Sequence, residues 1–146
     1  MGWENYLGFI YAIGAAVVWG LAYTIDEKIL DTVSPLTLLF INSLLATLVL
    51  LPLVMLEGNG VKGVLSSGRT SMLLIFVAFI FLTLGNFLIY SGIKHLGAAT
   101  ASTIEIAYPF FVVVFSFLFF QAVPNMYFII GGILIFLGSA TIIKFA

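Results

Sequence analysis

The chain has 146 residues, of which 63% are hydrophobic and only 8% are charged, and its formal net charge is −1. Because a soluble domain carries about 25% charged residues, this composition excludes a water-soluble globular protein. Apolar runs of about 20 residues recur along the chain, which is the length at which a helix crosses the roughly 30 Å hydrocarbon core of a bilayer. We therefore predict an all-α, multi-pass membrane protein.

Five membrane spans are predicted, at about 6–25, 35–56, 72–93, 98–120 and 124–143. The first should stop at Asp26-Glu27-Lys28, because charged groups are costly in lipid. The second begins with Ser34 as its N-cap and Pro35 at the first helical position, the residue types that favour a helix start. Glu57-Gly58-Asn59-Gly60 should close it.

The remaining span boundaries also carry local signals. Thr70 or Ser71 is a candidate N-cap for the third span. A tight turn at Leu96-Gly97 should join the third span to the fourth, and Pro124 should lie in the first turn of the fifth. With these spans the chain is predicted to form a single transmembrane domain over residues 1–146.

An odd number of spans places the two termini on opposite sides of the membrane. Lys62 and Arg69 then lie on one side, and Lys28, Lys94 and Lys144 on the other. Because two basic residues face three, the positive-inside rule hardly favours either orientation of the chain. Two interpretations follow. Either the early loops fix one orientation, with the N-terminus inside, or the protein has dual topology and inserts both ways up.

Large polar or amphipathic groups fall at a similar depth in four of the five spans. Counting residues from the span ends places Trp19, Asn42, Asn86 and Glu105 close to one level, with Tyr23 one turn beyond Trp19. Groups that cannot face lipid turn toward a shared interior, so this layer is the candidate site. The alternatives are that the asparagines only join helices and that Trp19 only packs.

Glu105 is the most informative of these residues. A charged carboxylate inside a membrane costs at least about 2.5–3.5 kcal/mol, so the group should be protonated, paired or exposed to a water-filled cavity. Pairing with Lys28 is the structural alternative. Pro109 should kink the helix and, lacking an N–H, it leaves the backbone carbonyl of Glu105 without its usual donor. Glu105 is therefore predicted to exchange a proton or to meet a cationic group.

Helical spacing extends the candidate set. Asn86 and Tyr90 should share one face of the third span, and Glu105 and Pro109 one face of the fourth. Tyr108, directly before the proline, completes the predicted substrate- and proton-binding residues. All of them should border one cavity.

Several classes of site have no residues to build them. The chain contains no cysteine and a single histidine, His95, without companions at ligand spacing, so no metal or thiol site is expected. There is no nucleophile–base pair or phosphate loop, so the chain is predicted not to be an enzyme. Neither a cofactor nor a nucleic-acid partner is expected.

Five short segments, in this order and spacing, resemble an EamA-like repeat of the drug/metabolite transporter superfamily. They are WGLAY (19–23), DEKIL (26–30), YSGIKHLG (90–97), Pro109 within the fourth span, and GGILIFLG (131–138). The resemblance implies a five-helix repeat that usually occurs twice, in inverted orientation, around a cavity with alternating access. Because one copy is present here, it implies a dimer. Gln121 departs from the family, which often has glutamate at the end of the fourth helix.

Assembly signals lie in the first and last spans. Gly131 and Gly138 are seven residues apart, and this spacing resembles the glycine seam through which the small multidrug resistance proteins dimerise. Ala12, Ala16 and Gly20 give the first span a small-residue stripe that permits close helix approach. The alternative is that these residues pack helices within one subunit.

The resulting prediction is a half-size secondary transporter. It should be a proton-coupled exporter of small organic metabolites or of amphipathic or cationic compounds, embedded in a prokaryotic inner (plasma) membrane. The partner should be a second copy, in parallel or antiparallel orientation, or a similar half-transporter. Two alternatives stay open: a flippase-like subunit for a lipid-linked group, and a non-transporting scaffold or regulatory subunit.

Overall fold

The computed structural model describes residues 3–58 and 60–145, and every regular element in that part of the chain is a helix. The helices, in chain order, are α1 (Trp3–Leu30), α2 (Pro35–Glu57), α3 (Gly60–Ser66), α4 (Arg69–Leu96), α5 (Ala98–Glu105), α6 (Tyr108–Phe120) and α7 (Met126–Phe145). Five stretches are long and apolar enough to cross a membrane: α1 from Tyr6, α2, α4, α5 with α6, and α7. The predicted all-α membrane fold is confirmed.

The first helix continues beyond its predicted end. α1 passes through Asp26-Glu27-Lys28 without interruption, so the prediction that it stops near Ile25 was wrong. Asp26 is buried and Glu27 is half-buried. Glutamate and lysine favour a helix, so this charged segment does not end α1, and the Glu27 carboxylate accepts the N–H of Ala98.

The start of α2 follows the prediction. The Ser34 hydroxyl accepts the N–H of Thr37 at 3.1 Å, and Pro35 is the first helical residue. The helix then runs to Glu57, while Asn59 of the predicted closing segment lies outside the described residues. The segment after it, predicted as a loop, contains the short helix α3.

Two other helix starts differ from the prediction. α7 begins at Met126, because the side chain of Asn125 accepts the N–H of Tyr127 at 3.1 Å and caps the helix. Pro124, predicted to lie in the first turn, therefore precedes the helix. α4 begins at Arg69, and Ser71 is already helical, with its hydroxyl donating to the carbonyl of Ser67. The predicted cap at Thr70 or Ser71 was therefore wrong.

The fourth span is not one continuous helix. α5 ends at Glu105, residues Ile106 and Ala107 form a turn, and α6 starts at Tyr108. The N–H of Ala107 bonds to the carbonyl of Ile104 at 3.2 Å, which tightens the chain at this point. Pro109 has no N–H with which to continue the α-helical ladder, which accounts for a break at this place.

The predicted tight turn between α4 and α5 is confirmed, and it consists of Gly97. This residue has φ 79° and ψ 159°, a backbone conformation open essentially only to glycine. The N–H of Gly97 bonds back to the carbonyl of Ile93 at 2.9 Å. A side chain at this position would be strained.

The chain divides into two compact units. One comprises residues up to Lys28 together with the chain from Gly92 onward, and the other comprises Ile29–Ser91. In the first unit α5 and α6 both pack against α7, and its buried residues include Tyr23, Ile93 and Ala101. In the second unit α2 packs against α3.

Candidate functional site

The carboxylate of Glu105 lies at the C-terminal end of α5, where the fourth span breaks. It is half-buried and accepts a hydrogen bond of 3.0 Å from the hydroxyl of Tyr23 on α1. Tyr23 is only 8% exposed. The ring of Trp19, one turn earlier, lies 5.6 Å from the Tyr23 ring between centroids. Three of the predicted site residues are thus brought together.

These residues border a groove of about 910 Å³ that is formed by α1, α5 and α7 together with the first residues after α5. Its volume lies within the range of about 300–1,000 Å³ that is typical of small-molecule sites. The lining combines one carboxylate, three aromatic rings, three hydroxyl side chains, and small or aliphatic residues. The lining residues are Ala12, Ala15, Ala16, Trp19, Gly20, Tyr23, Ser102, Thr103, Glu105, Ile106, Tyr108, Ile135, Gly138, Ser139 and Ile142.

The small-residue stripe of α1 has a clear place in this groove. Ala12, Ala16 and Gly20 line the groove on the same helix as Trp19. A Cβ atom built at Gly20 would meet no atom of the described chain within 4 Å. Small side chains here leave open volume next to Glu105.

Ser139 is a site residue that sequence reasoning missed. It is 6% exposed, and its hydroxyl donates a 2.8 Å hydrogen bond to the backbone carbonyl of Thr103. The bond joins α7 to α5 within the groove, two residues before Glu105. The sequence does not single it out, because serine and threonine hydroxyls elsewhere in the spans bond to carbonyls of their own helix.

Glu105 and Pro109 do not face the same cleft. Tyr108 lines the groove with Glu105, whereas Pro109 and Phe110 line a separate, apolar cleft of about 490 Å³ between α6 and α7. The expectation that Glu105 and Pro109 share a helix face therefore stays a prediction, although the two residues line different clefts.

The predicted residues of the second unit form their own contact. The amide of Asn42 on α2 donates to the hydroxyl of Tyr90 on α4 at 3.0 Å, and Tyr90 is buried. Asn86 instead donates to the carbonyl of Leu82 in its own helix. A single polar layer through four helices, with Asn42 and Asn86 level with Glu105, stays a prediction.

The two glycines predicted for dimer packing lie in different clefts. Gly138 lines the groove, and Gly131 lines the apolar cleft. In the described part of the chain, a Cβ atom built at either glycine would meet no neighbouring atom within 4 Å. Both positions therefore have free space on the side that a side chain would occupy, and their role in assembly stays a prediction.

The groove contains one carboxylate next to the faces of aromatic side chains. A carboxylate can take up and release a proton or attract a cation, and the faces of Trp19, Tyr23 and Tyr108 can attract a cation or stack on an apolar body. The serine and threonine hydroxyls of the lining donate to backbone carbonyls, so toward a ligand they can act as acceptors. This arrangement suits reversible binding of a small organic molecule.

Comparisons with known proteins identify the family of the chain. The profile of the EamA-like transporter family matches residues 6–144. The protein named Uncharacterized transporter YrdR of Bacillus subtilis (strain 168) is 26% identical to this chain over 143 residues, which are 96% of this chain and 44% of that protein. The chain thus spans less than half the length of this relative. No solved structure gave a significant match. The chain belongs to the EamA-like transporter family, and it is an integral, multi-pass membrane protein.

Proposed function

We propose that this protein is a secondary transporter of small organic molecules and that the groove around Glu105 is its substrate site. The observation that carries the proposal is the position of the carboxylate. It lies at a break in a membrane helix and opens onto a groove large enough for a small molecule. Broken helices at membrane depth are tolerated where they line a cavity, and they form the substrate sites of many transporters.

Proton coupling is the second part of the proposal. Glu105 is the carboxylate that lines the groove, and its described hydrogen bond comes from a neutral hydroxyl rather than from a cation. A carboxylate whose charge is not neutralised by a fixed cation can exchange a proton or bind a cationic substrate in its place. We propose that it does both in turn, which makes the protein a proton-coupled exporter.

The lining supports an amphipathic substrate. Trp19 and Tyr108 are 51% and 61% exposed, and the other lining residues include small and aliphatic side chains. A cationic compound with an apolar or aromatic body would use the carboxylate and the rings together. A neutral amphipathic metabolite would use the rings and hydroxyls.

A second five-helix unit is proposed to complete the transporter. The matched relative is more than twice as long as the segment it shares with this chain. A second copy of this chain, in parallel or antiparallel orientation, or a similar half-transporter would supply this unit. The free space at Gly131 and Gly138 supports close approach of a partner helix. The proposed location is a prokaryotic plasma membrane.

Ligand-induced thermal stabilisation of the purified protein tests the site. The ligand panel contains aromatic and alkyl ammonium ions, neutral amphipathic metabolites and carboxylates, since a ligand that binds only the folded state raises its stability. Ala16→Phe fills the groove and should abolish the stabilisation, whereas Val17→Phe, at a neighbouring residue that is 68% exposed and outside the groove, should not.

Uptake into liposomes then separates the alternatives. A transporter should accumulate the stabilising ligand and lose this activity with Ala16→Phe. Movement restricted to lipid-linked groups would favour the flippase interpretation. Absence of any flux from purified, ligand-binding protein would contradict the transporter proposal and favour a scaffold or regulatory subunit.

A further inference from the structure

α5 is a short helix with a turn at each end. It has eight residues, about 12 Å at 1.5 Å per residue, and a helix of this length is marginal without tertiary contacts. Gly97 precedes it, and the turn at Ile106–Ala107 follows it. Side-chain contacts from other helices can therefore help to set its position.

The N-terminal end of α5 is capped by a residue from another helix. Gly97, the N-cap residue, has no side chain to bond the first N–H groups. The carboxylate of Glu27 on α1 takes the place of a capping side chain: one of its oxygens accepts the N–H of Ala98 at 3.0 Å. The other oxygen lies 3.4 Å from the place that a Cβ atom of Gly97 would occupy. A negative charge here also favours the positive end of the helix dipole.

The C-terminal end of α5 is held by the same helix. Tyr23 lies four residues, about one turn, before Glu27 on α1, and its hydroxyl bonds to Glu105, the last residue of α5. One face of α1 thus contacts both ends of α5. Ser139 adds a third contact from α7 to the carbonyl of Thr103.

We propose that Glu27 is a positioning residue: by capping α5 from α1, its carboxylate fixes the place at which α5 presents Glu105 to Tyr23 and to the groove. The functional meaning of this inference rests on the proposed role of Glu105. Glu27 need not touch the substrate, because it acts through the position of α5. Removing it should leave the helix without its cap and should weaken the Tyr23–Glu105 bond at the other end.

The test reads the Tyr23–Glu105 bond directly. 3-Fluorotyrosine is placed at position 23 of the full chain in nanodiscs, and its ¹⁹F resonance is recorded, since this resonance responds to the hydrogen bond of the phenol. Glu105→Ala gives the position of the resonance without the bond. Glu27→Ala should move the resonance toward that position. Glu27→Gln, which keeps an acceptor oxygen for Ala98 but not the charge, should stay near the wild-type position.

Two further variants keep the test decisive. Glu27→Asp retains the charge, but its side chain is one methylene shorter, so it should behave like Glu27→Ala and replaces it if that variant does not fold. Asp31→Ala removes an exposed acidic residue four positions further along the chain and should leave the resonance unchanged. A wild-type resonance in Glu27→Ala, or in Glu27→Asp where the alanine variant does not fold, would overturn the inference.

The outcome is separable from that of the proposed function. If Glu105→Gln retains proton-coupled flux, the proposed function fails, while the resonance still decides whether Glu27 positions α5. If flux depends on Glu105 but the ¹⁹F resonance does not move in the Glu27 variants, only the positioning role is wrong.

Discussion

The hydroxyl of Tyr23 donates a 3.0 Å hydrogen bond to the carboxylate of Glu105, and this bond joins α1 to the end of α5. Tyr23 is buried, and Trp19 lies against its ring. The donor is a neutral hydroxyl. Under the proposed function, this carboxylate is the group that receives a proton or a cation from the groove.

Tyr23→Phe should destabilise the protein by about 1–2 kcal/mol, since it removes a hydrogen bond to a carboxylate and preserves the ring. Tyr11→Phe is the matched control, because Tyr11 lies on the same helix and is 72% exposed. Unfolding by SDS in mixed micelles measures both changes. Equal stability of the two variants would show that the hydroxyl of Tyr23 contributes nothing to the folded state.

Ser139→Ala should cost about 1 kcal/mol, because the carbonyl of Thr103 loses its donor from α7. Thr141→Val should cost less, since the Thr141 hydroxyl returns to the carbonyl of Leu137 within its own helix. The same unfolding measurement compares the two variants. A larger loss for Thr141→Val would contradict the assignment of Ser139 as a contact between helices.

Asn42 and Tyr90 should be energetically coupled. A double-mutant cycle with Asn42→Leu and Tyr90→Phe should give an interaction free energy of about 0.6 kcal/mol, the average measured for hydrogen bonds between membrane helices, and at most about 1.7 kcal/mol. Thr47→Val replaces Asn42→Leu in the control cycle, because Thr47 bonds to its own helix. Additivity in both cycles would mean that the Asn42–Tyr90 bond is not formed in the membrane.

Gln121→Gly should stabilise the protein by about 1 kcal/mol. Gln121 ends α6 in the left-handed conformation, with φ 54° and ψ 25°, and its N–H bonds to the carbonyl of Phe117. This is the position of a helix C-terminus at which glycine is preferred, because it carries no Cβ. Gln121→Ala keeps the Cβ atom, so it should give no gain in the same measurement. A gain from alanine equal to that from glycine would disprove the conformational explanation.

Much of the fold could be predicted from the sequence because span length, charge and caps act locally. The Ser34 cap and the Gly97 turn are examples, since each depends on one or two neighbouring residues. The end of α1 was mistaken because charged residues limit a membrane span but do not end a helix. The contact of Glu27 with Ala98, 71 residues away in the chain, appears in no local pattern.

The candidate site was predicted only in part, because contacts between helices are not contained in local sequence patterns. Depth counting brought Trp19, Tyr23 and Glu105 into one candidate set, and the structure joins them around one groove. It treated the fourth span as one helix, whereas this span is divided into α5 and α6. It also passed over Ser139, whose acceptor lies on a different helix. Contacts between helices depend on helix rotation, which residue spacing within one span does not specify.

Substrate-driven proton movement across liposome membranes tests the central claim most directly. Wild-type protein, Glu105→Gln and the control Glu57→Gln, an exposed carboxylate at the end of α2, are reconstituted with a trapped pH indicator, and a ligand from the stabilisation panel is added. Wild type and Glu57→Gln should move protons with the ligand, and Glu105→Gln, which keeps the shape of the side chain but cannot exchange a proton, should not. Ligand-driven proton flux by Glu105→Gln equal to that of wild type, with the same pH dependence, would contradict the account.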